Sequence, residues 1–120
     1  MAESVKNFSI KAQSGSQLVK SLSGGNQQKI VISKWLSTRP KILFLDEPTR
    51  GIDIGAKREI YALIAGLAER GAGVIVISSE LEEVVGLCRR VLVLREGRII
   101  GELAGAEVSE AAILNLCFVA

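Results

Sequence analysis

Histidine is absent from this 120-residue chain, which removes the commonest general base and the commonest zinc ligand together. Cysteine is nearly absent: Cys88 and Cys117 have no CxxC spacing, so buried free thiols are expected rather than a disulfide or a metal site. Aromatic residues make up only 4% of the chain. An excess of one charge is also missing, since 15 Lys and Arg against 13 Asp and Glu leave a net +2 with no basic run. That leaves no electrostatic footprint for nucleic acid. The apolar runs, such as Val74-Ile75-Val76-Ile77 and Val91-Leu92-Val93-Leu94, fall far short of the ~18 residues of a membrane-spanning helix. Met1-Ala2-Glu3-Ser4-Val5-Lys6 lacks the apolar segment of a signal peptide, so a cytoplasmic location is expected. No Gly-x-x-x-x-Gly-Lys-Ser/Thr occurs either, and with it goes the loop that cradles nucleotide phosphates. Any chemistry must run on carboxylates, backbone amides and a cation brought in from outside.

What remains is a 48% apolar chain long enough to bury a core and expected to form one domain. Residues 1–21 are polar and weakly patterned, with a loop-like Ala12-Gln13-Ser14-Gly15-Ser16 stretch. Ile30, Val31, Ile32, Trp35 and Leu36 recur at helical spacing over 26–36, and Pro40 stops that helix. The apolar run 42–45 predicts a parallel strand covered on both faces. A turn over 48–53 leads into a helix over 54–70, ended by Gly71. Residues 74–77 predict a second buried strand, and 79–88 another helix. Segments 90–94 and 99–102 flank Glu96-Gly97 as an antiparallel hairpin, and a last helix covers 109–117. The order is that of an α/β fold.

Two strings carry the chemistry. Ser23-Gly24-Gly25 stands before a helix, where orphan amides, glycine backbone and the helix dipole together favour an anion. The plain alternative is an ordinary N-cap. Asp46-Glu47 follows a strand, and ligands of parallel sheets bind beyond the carboxyl ends of strands. In phosphoryl transfer an Asp so placed holds Mg²⁺ while a neighbouring acid polarises the attacking water. The alternative is a solvated strand end with Glu47 paired to Arg50. Lys29, Lys34 and Arg58 are read as a solvated helix face rather than phosphate ligands, and Trp35 as core. Ser79-x-x-Glu82 is read as a capping box.

Leu22-Ser23-Gly24-Gly25-Asn26-Gln27-Gln28-Lys29 resembles the signature motif of ATP-binding cassette (ABC) transporter ATPases, and Ile42-Leu43-Phe44-Leu45-Asp46-Glu47-Pro48 resembles their Walker B strand. Thr49-Arg50-Gly51-Ile52-Asp53 is similar to the D-loop. Gly55-Ala56-Lys57, Glu59-Ile60-Tyr61, Ser78-Ser79-Glu80, Arg90 and Glu96-Gly97 match too. From about Val5 to Leu116 the chain looks like the C-terminal part of the second nucleotide-binding domain of a bacterial sugar importer, of the ribose, galactose or xylose kind.

The resemblance implies a partial P-loop NTPase fold, with a mostly parallel sheet, flanking helices and a C-terminal β-hairpin. Residues 1–37 would end a helical subdomain and carry the signature helix, and residues 38–120 would form the Walker B, D-loop and switch half. Ser23, Gly24, Gly25 and Gln27 would meet the γ-phosphate of ATP held by the opposing half. Asp46 would support Mg²⁺ through water, Glu47 would activate the hydrolytic water, and Asp53 would signal across the dimer interface. Ser79 stands where the family usually has its switch histidine. The implied partners are the other nucleotide-binding half and membrane permease subunits, with the protein peripheral to the inner face of the membrane and not inserted in it.

The Walker A loop, the adenine-stacking aromatic and the glutamine loop are missing from the 120 residues. The chain alone is therefore expected to bind Mg-ATP weakly and not to turn it over. The competing reading is a non-catalytic module that supplies a signature loop or dimer interface in trans. A chromosome-maintenance ATPase is disfavoured by the Thr-Arg-Gly-Ile-Asp loop and the Ser-Ser-Glu string. With no P-loop strand to pair, the sheet should have a bare edge and the chain should self-associate.

Overall fold

The computed structural model describes residues 24–119. They form two compact units, divided between Ile77 and Ser78.

The first unit begins with helix α1, Gly24–Leu36. Its buried face runs through Gly25, Lys29, Ile32 and Ser33, with Ile32 only 1% exposed. Trp35 lies about a third of a turn away from that face and is 55% exposed, so it is not the core residue its spacing predicts. Lys29 is the opposite case: expected on a solvated face, it is 3% exposed. At the helix end the Ser37 and Thr38 hydroxyls donate to the Lys34 and Trp35 carbonyls. Arg39 then turns left-handed (φ 49°) before Pro40.

Strand β1, Ile42–Asp46, pairs in parallel with β2, Gly73–Ile77, in the register Leu43↔Val74 and Leu45↔Val76. Between them runs helix α2, Ile54–Glu69, whose buried Ile60, Ile64 and Leu67 recur on one face. Burying each of these stabilises by about 1.5–3 kcal/mol. Gly71 closes α2 in a left-handed conformation (φ 93°) that an L side chain resists. Its N–H donates to the Ala68 carbonyl, and the Ala72 N–H to that of Leu67, the paired bonds of a Schellman motif.

Among the described residues, the strands are covered on one face only. Leu43 and Leu45 are buried and Val74 and Val76 half-buried, but Ile42, Phe44, Ile75 and Ile77 are 44–66% exposed. The expectation of two covered faces therefore fails among the described residues. Among the described residues α2 is the helix packed on this sheet, and one helix layer can shield only one side.

The second unit holds helix α3, Leu81–Leu87, and an antiparallel hairpin of β3, Arg90–Arg95, and β4, Arg98–Ala104. Glu96 (φ 49°) and Gly97 (φ 75°) make its two-residue turn, with both central residues left-handed as the strand twist requires. The ladder slips between Val93 and Leu94, where Val93 faces Gly101 and Leu94 faces Ile99. A short 3₁₀ turn, Gly105–Glu107, leads to helix α4, Glu110–Phe118, whose N-cap Ser109 accepts from the Ala112 N–H at 3.2 Å. Val91, Val93 and Ile113 form the core, with Val84, Cys88, Leu103, Leu116 and Cys117 packed around them. Both cysteines are free thiols, half-buried rather than fully so. Burial, reinforced by the Glu83 carboxylate, pushes the Cys88 thiol up from its ordinary value.

Helix α3 corrects the capping reading. It starts at Leu81 with Glu80 at the N-cap, so Ser79 lies one residue too early and Glu82 one too early to close a box. The hydroxyl that accepts the Glu80 N–H is that of Ser78, at 3.0 Å. This local turn delays the helix past the serine that propensity selects.

Candidate functional site

Among the described residues, most of the candidate side chains belong to the first unit and sit at the ends of its elements. Ser23 lies outside the described residues, and Ser79 belongs to the second unit. Gly24 and Gly25 are inside the first turn of α1 rather than ahead of it, so their own amides are among the orphan donors there.

The two glycines differ. Among the described residues outside its own helix backbone, no heavy atom lies within 4 Å of where a Gly24 Cβ would stand, and the residue is exposed. A Cβ on Gly25 would overlap the Ala56 methyl and touch Ile52. Thus Gly25 is glycine because α1 and α2 meet there, whatever else its backbone does. Four residues on, the Lys29 ammonium is ion-paired with the Glu59 carboxylate of α2. From Gly25 to Lys29 and from Ala56 to Glu59 the contacts advance in the same direction. The N-terminal, positive ends of both helix dipoles therefore lie on the same side. Gln27 is half-buried on this helix.

Asp46 is the last residue of β1 and exposed, on the same strand face as Ile42 and Phe44. Glu47 follows in a left-handed conformation (φ 47°), a cost of about 1–3 kcal/mol for a non-glycine residue. It is held there from both sides. Its N–H donates to the Ile77 carbonyl at 2.8 Å, extending the parallel ladder one residue past the strand. Its carbonyl accepts from the Arg50 N–H at 3.2 Å, closing the turn, and the next residues, Pro48 and Thr49, are buried. The Glu47–Arg50 link the structure describes is thus a backbone turn.

Gly51 (φ 73°) carries the chain onward to Asp53. Asp53 is the N-cap of α2, its Oδ1 accepting from the Ala56 N–H at 3.0 Å. That bond satisfies one donor of α2 and sets a carboxylate against its positive end. No acid occupies the first turn of α1.

Among the described residues no three His, Cys, Asp or Glu side chains gather closely enough to cage a metal. The single carboxylate of Asp46 at an open strand end fits Mg²⁺ in another way. Mg²⁺ keeps several waters and takes one or two carboxylates plus substrate phosphates. The donor set suits a cation that arrives with a nucleotide.

Lys29 and Glu59 are residues that the sequence reading passed over as partners. The available signal was position: Lys29 sits in the middle of the Gly25–Ile32 stripe, where a solvated lysine has no room.

Residues 1–50 match the family model described as ABC transporter. The ribose import ATP-binding protein of one Bacillus cereus strain is 55% identical over 96% of this chain and 23% of its own length. The L-arabinose transport ATP-binding protein of Geobacillus stearothermophilus is 54% identical over 91% of the chain and 21% of that protein. A solved nucleotide-free ATP-binding cassette from an ABC transporter superposes with a TM-score of 0.80 at 24% identity, over 97% of this chain and 44% of that one. A dimeric cassette in a post-hydrolysis state, bound to ADP and Pi, gives 0.74 at 26% identity over 86% and 44%. The chain spans about a fifth of the length of the curated relatives it matches and under half of the solved cassettes. By sequence and by fold the chain belongs to the ATP-binding proteins of ABC transporters, and its relatives there are sugar-import ATP-binding proteins.

Proposed function

We propose that the chain is the Walker B, D-loop and signature part of an ATP-hydrolysing subunit that powers carbohydrate import, and that it is inactive on its own. Residues 1–37 end a helical subdomain, and 38–120 make up the Walker B and switch half of the second nucleotide-binding domain. The observation that carries this reading is the strand end: Asp46 exposed at the carboxyl terminus of β1, and Glu47 clamped in a left-handed turn by Ile77 and Arg50.

Mg²⁺ bound with ATP would neutralise charge on the phosphates in the transition state. Asp46 holds that ion through water. Glu47, fixed by its turn, orients or deprotonates the attacking water. Gly24, Gly25 and Gln27, at the positive end of α1, face the γ-phosphate of a nucleotide held by the opposing half, and Ser23 of the same string serves it too. Asp53 joins the dimer interface. With no P-loop in the 120 residues, most triphosphate contacts must come from another segment. The partners are the other nucleotide-binding half and the membrane permease subunits, which place the complex at the inner face of the membrane. No helix among the described residues is long and apolar enough to cross a membrane.

Two measurements test this. Calorimetric titration of the isolated chain with Mg-ATP should give no saturable heat in the micromolar range, and tight binding would overturn the half-site. Next, the chain replaces its matching segment in the Bacillus cereus ribose import ATP-binding protein. The graft should hydrolyse ATP, and Glu47→Gln should abolish that activity. If Glu47→Gln leaves turnover intact while Ser23→Ala stops it, the chain is instead a non-catalytic module donating a signature loop in trans.

A further inference from the structure

We infer that the buried Lys29–Glu59 pair is a positioning device that fixes the phosphate-facing end of α1 against the D-loop end of α2, so that the two act as one rigid body. This rests on the function proposed above, and two features of the first unit carry it.

The first is the pair itself. Lys29 is 3% exposed, and a buried ammonium without a counter-charge is strongly unfavourable. Glu59 keeps 44% of its side chain exposed, so α2 supplies a hydrated carboxylate to a dry lysine. The pairing therefore matters more to the placement of α1 than to the solvation of α2. The Ser33 hydroxyl, one turn further on, donates to the Lys29 carbonyl at 2.6 Å, so that polar group too is satisfied inside α1.

The second feature is steric and independent of charge. Gly25, one turn before Lys29, lies so close to Ala56 that no Cβ fits between them, and Ile52 of the D-loop turn flanks the same spot. One contact prevents α1 from approaching further, and the other prevents it from rotating or sliding away. Both lie within about a turn and a half of the amides of Gly24 and Gly25 on α1. On α2 they lie within two turns of Asp53, whose carboxylate is bonded to the N–H of Ala56 itself. A displacement of Asp53 therefore reaches the signature amides through Ala56 and Glu59.

Lys29 does not touch nucleotide in this scheme. It sets the direction of the amides that do, so its loss should slow the chemical step and spare ground-state binding. The triphosphate is gripped mainly by the partner's P-loop.

The test has two arms. In the first, amide exchange is followed in the isolated 120-residue chain. Lys29→Met, which keeps the apolar stem, should speed exchange at least about tenfold both in the second turn of α1, where the amides first gain helix partners, and at the Ala56 amide. The charge swap Lys29→Glu with Glu59→Lys should restore most of the protection at both. Loosening of α1 alone, or no change, overturns the rigid-body inference.

In the second arm the same variants are placed in the graft with the Bacillus cereus protein. Lys29→Met and Glu59→Gln should each lower kcat about tenfold or more with KM for ATP within about twofold, and the swap should recover kcat to within about threefold. A KM effect without a kcat effect, or a swap no better than the single variants, overturns the positioning role. An unsubstituted graft that fails to hydrolyse ATP sinks the proposed function and the catalytic consequence with it, while the exchange arm still decides whether the two helices are locked.

Discussion

Adding one methyl group to each of two adjacent glycines should change stability in opposite directions. In Gly24→Ala the new Cβ meets nothing within 4 Å among the described residues outside its own helix backbone, and the site is exposed. Alanine is favoured over glycine in a helix by about 0.5–1 kcal/mol, and it narrows the unfolded ensemble as well. The position is the first residue of α1, where the helix is least committed, so about half of that gain is expected. In Gly25→Ala the same propensity gain is present, but the new Cβ overlaps the Ala56 methyl. Both atoms are bonded directly to backbone, so no rotamer can relieve the contact and α1 must lift from α2. Overpacking of this kind costs about 1–3 kcal/mol. Separation also stretches the Lys29–Glu59 pair. The net effect should be a loss of about 1–2 kcal/mol. Urea unfolding followed by far-ultraviolet circular dichroism reads it directly. With a slope of about 1–3 kcal/mol per molar, the midpoint for Gly25→Ala should fall by about 0.5–1 M, and that for Gly24→Ala should hold or rise. Ala56→Gly should rescue Gly25→Ala by at least about 1 kcal/mol beyond additivity, because it removes the other half of the overlap. If Gly25→Ala proves as stable as Gly24→Ala, or if Ala56→Gly shows no coupling to it, α1 and α2 do not meet as described.

Four further outcomes follow from the same geometry. Glu47→Gly should hold or raise stability by up to about 1 kcal/mol, since relief of the left-handed strain outweighs the entropy of glycine, while ending hydrolysis in the graft; a clear loss of stability would contradict the strain. Asp53→Ala should cost about 1 kcal/mol by removing the cap on Ala56, and Asp53→Asn much less; equal losses would mean that the side-chain bond is not what matters. Alkylation of Cys88 should lag behind that of an unstructured thiol near pH 8.5 and accelerate at higher pH. Because the folded state holds this proton more tightly, its contribution to stability is complete below the ordinary thiol pKa and fades as pH climbs through the raised one. An unshifted rate profile would refute that. The exposed Ile42, Phe44, Ile75 and Ile77 should drive self-association at micromolar concentration, and Phe44→Lys should shift sedimentation toward monomer; a wild-type chain that sediments as a clean monomer contradicts this.

Element type was largely legible because its signals are local. Glu96-Gly97 demanded two left-handed residues and formed the turn, Gly71 closed α2, and the acids after residue 45 fell at a strand end as the apolar run implied. The family strings were equally legible, since they specify backbone geometry within a few residues. Side-chain environments on α1 were not. Periodicity ranks residues by polarity, so it sent Trp35 inward and Lys29 outward, and the structure reverses both. That reversal needs Glu59, thirty positions away, to make a buried lysine tolerable. Ser79 is not the cap because the helix begins at Leu81 with Glu80 at its N-cap, a start that propensity does not resolve.

The chain's own residues thus determined which elements form, where they stop, and which strings could serve a nucleotide, because those depend on dihedral preferences and short-range bonds. Tertiary structure alone decided that Gly25 is a contact and Gly24 exposed, that Lys29 is a strut, and that Ile42, Phe44, Ile75 and Ile77 have no cover among the described residues. Each of those depends on what lies across a gap from the residue, and a linear sequence does not say what that is.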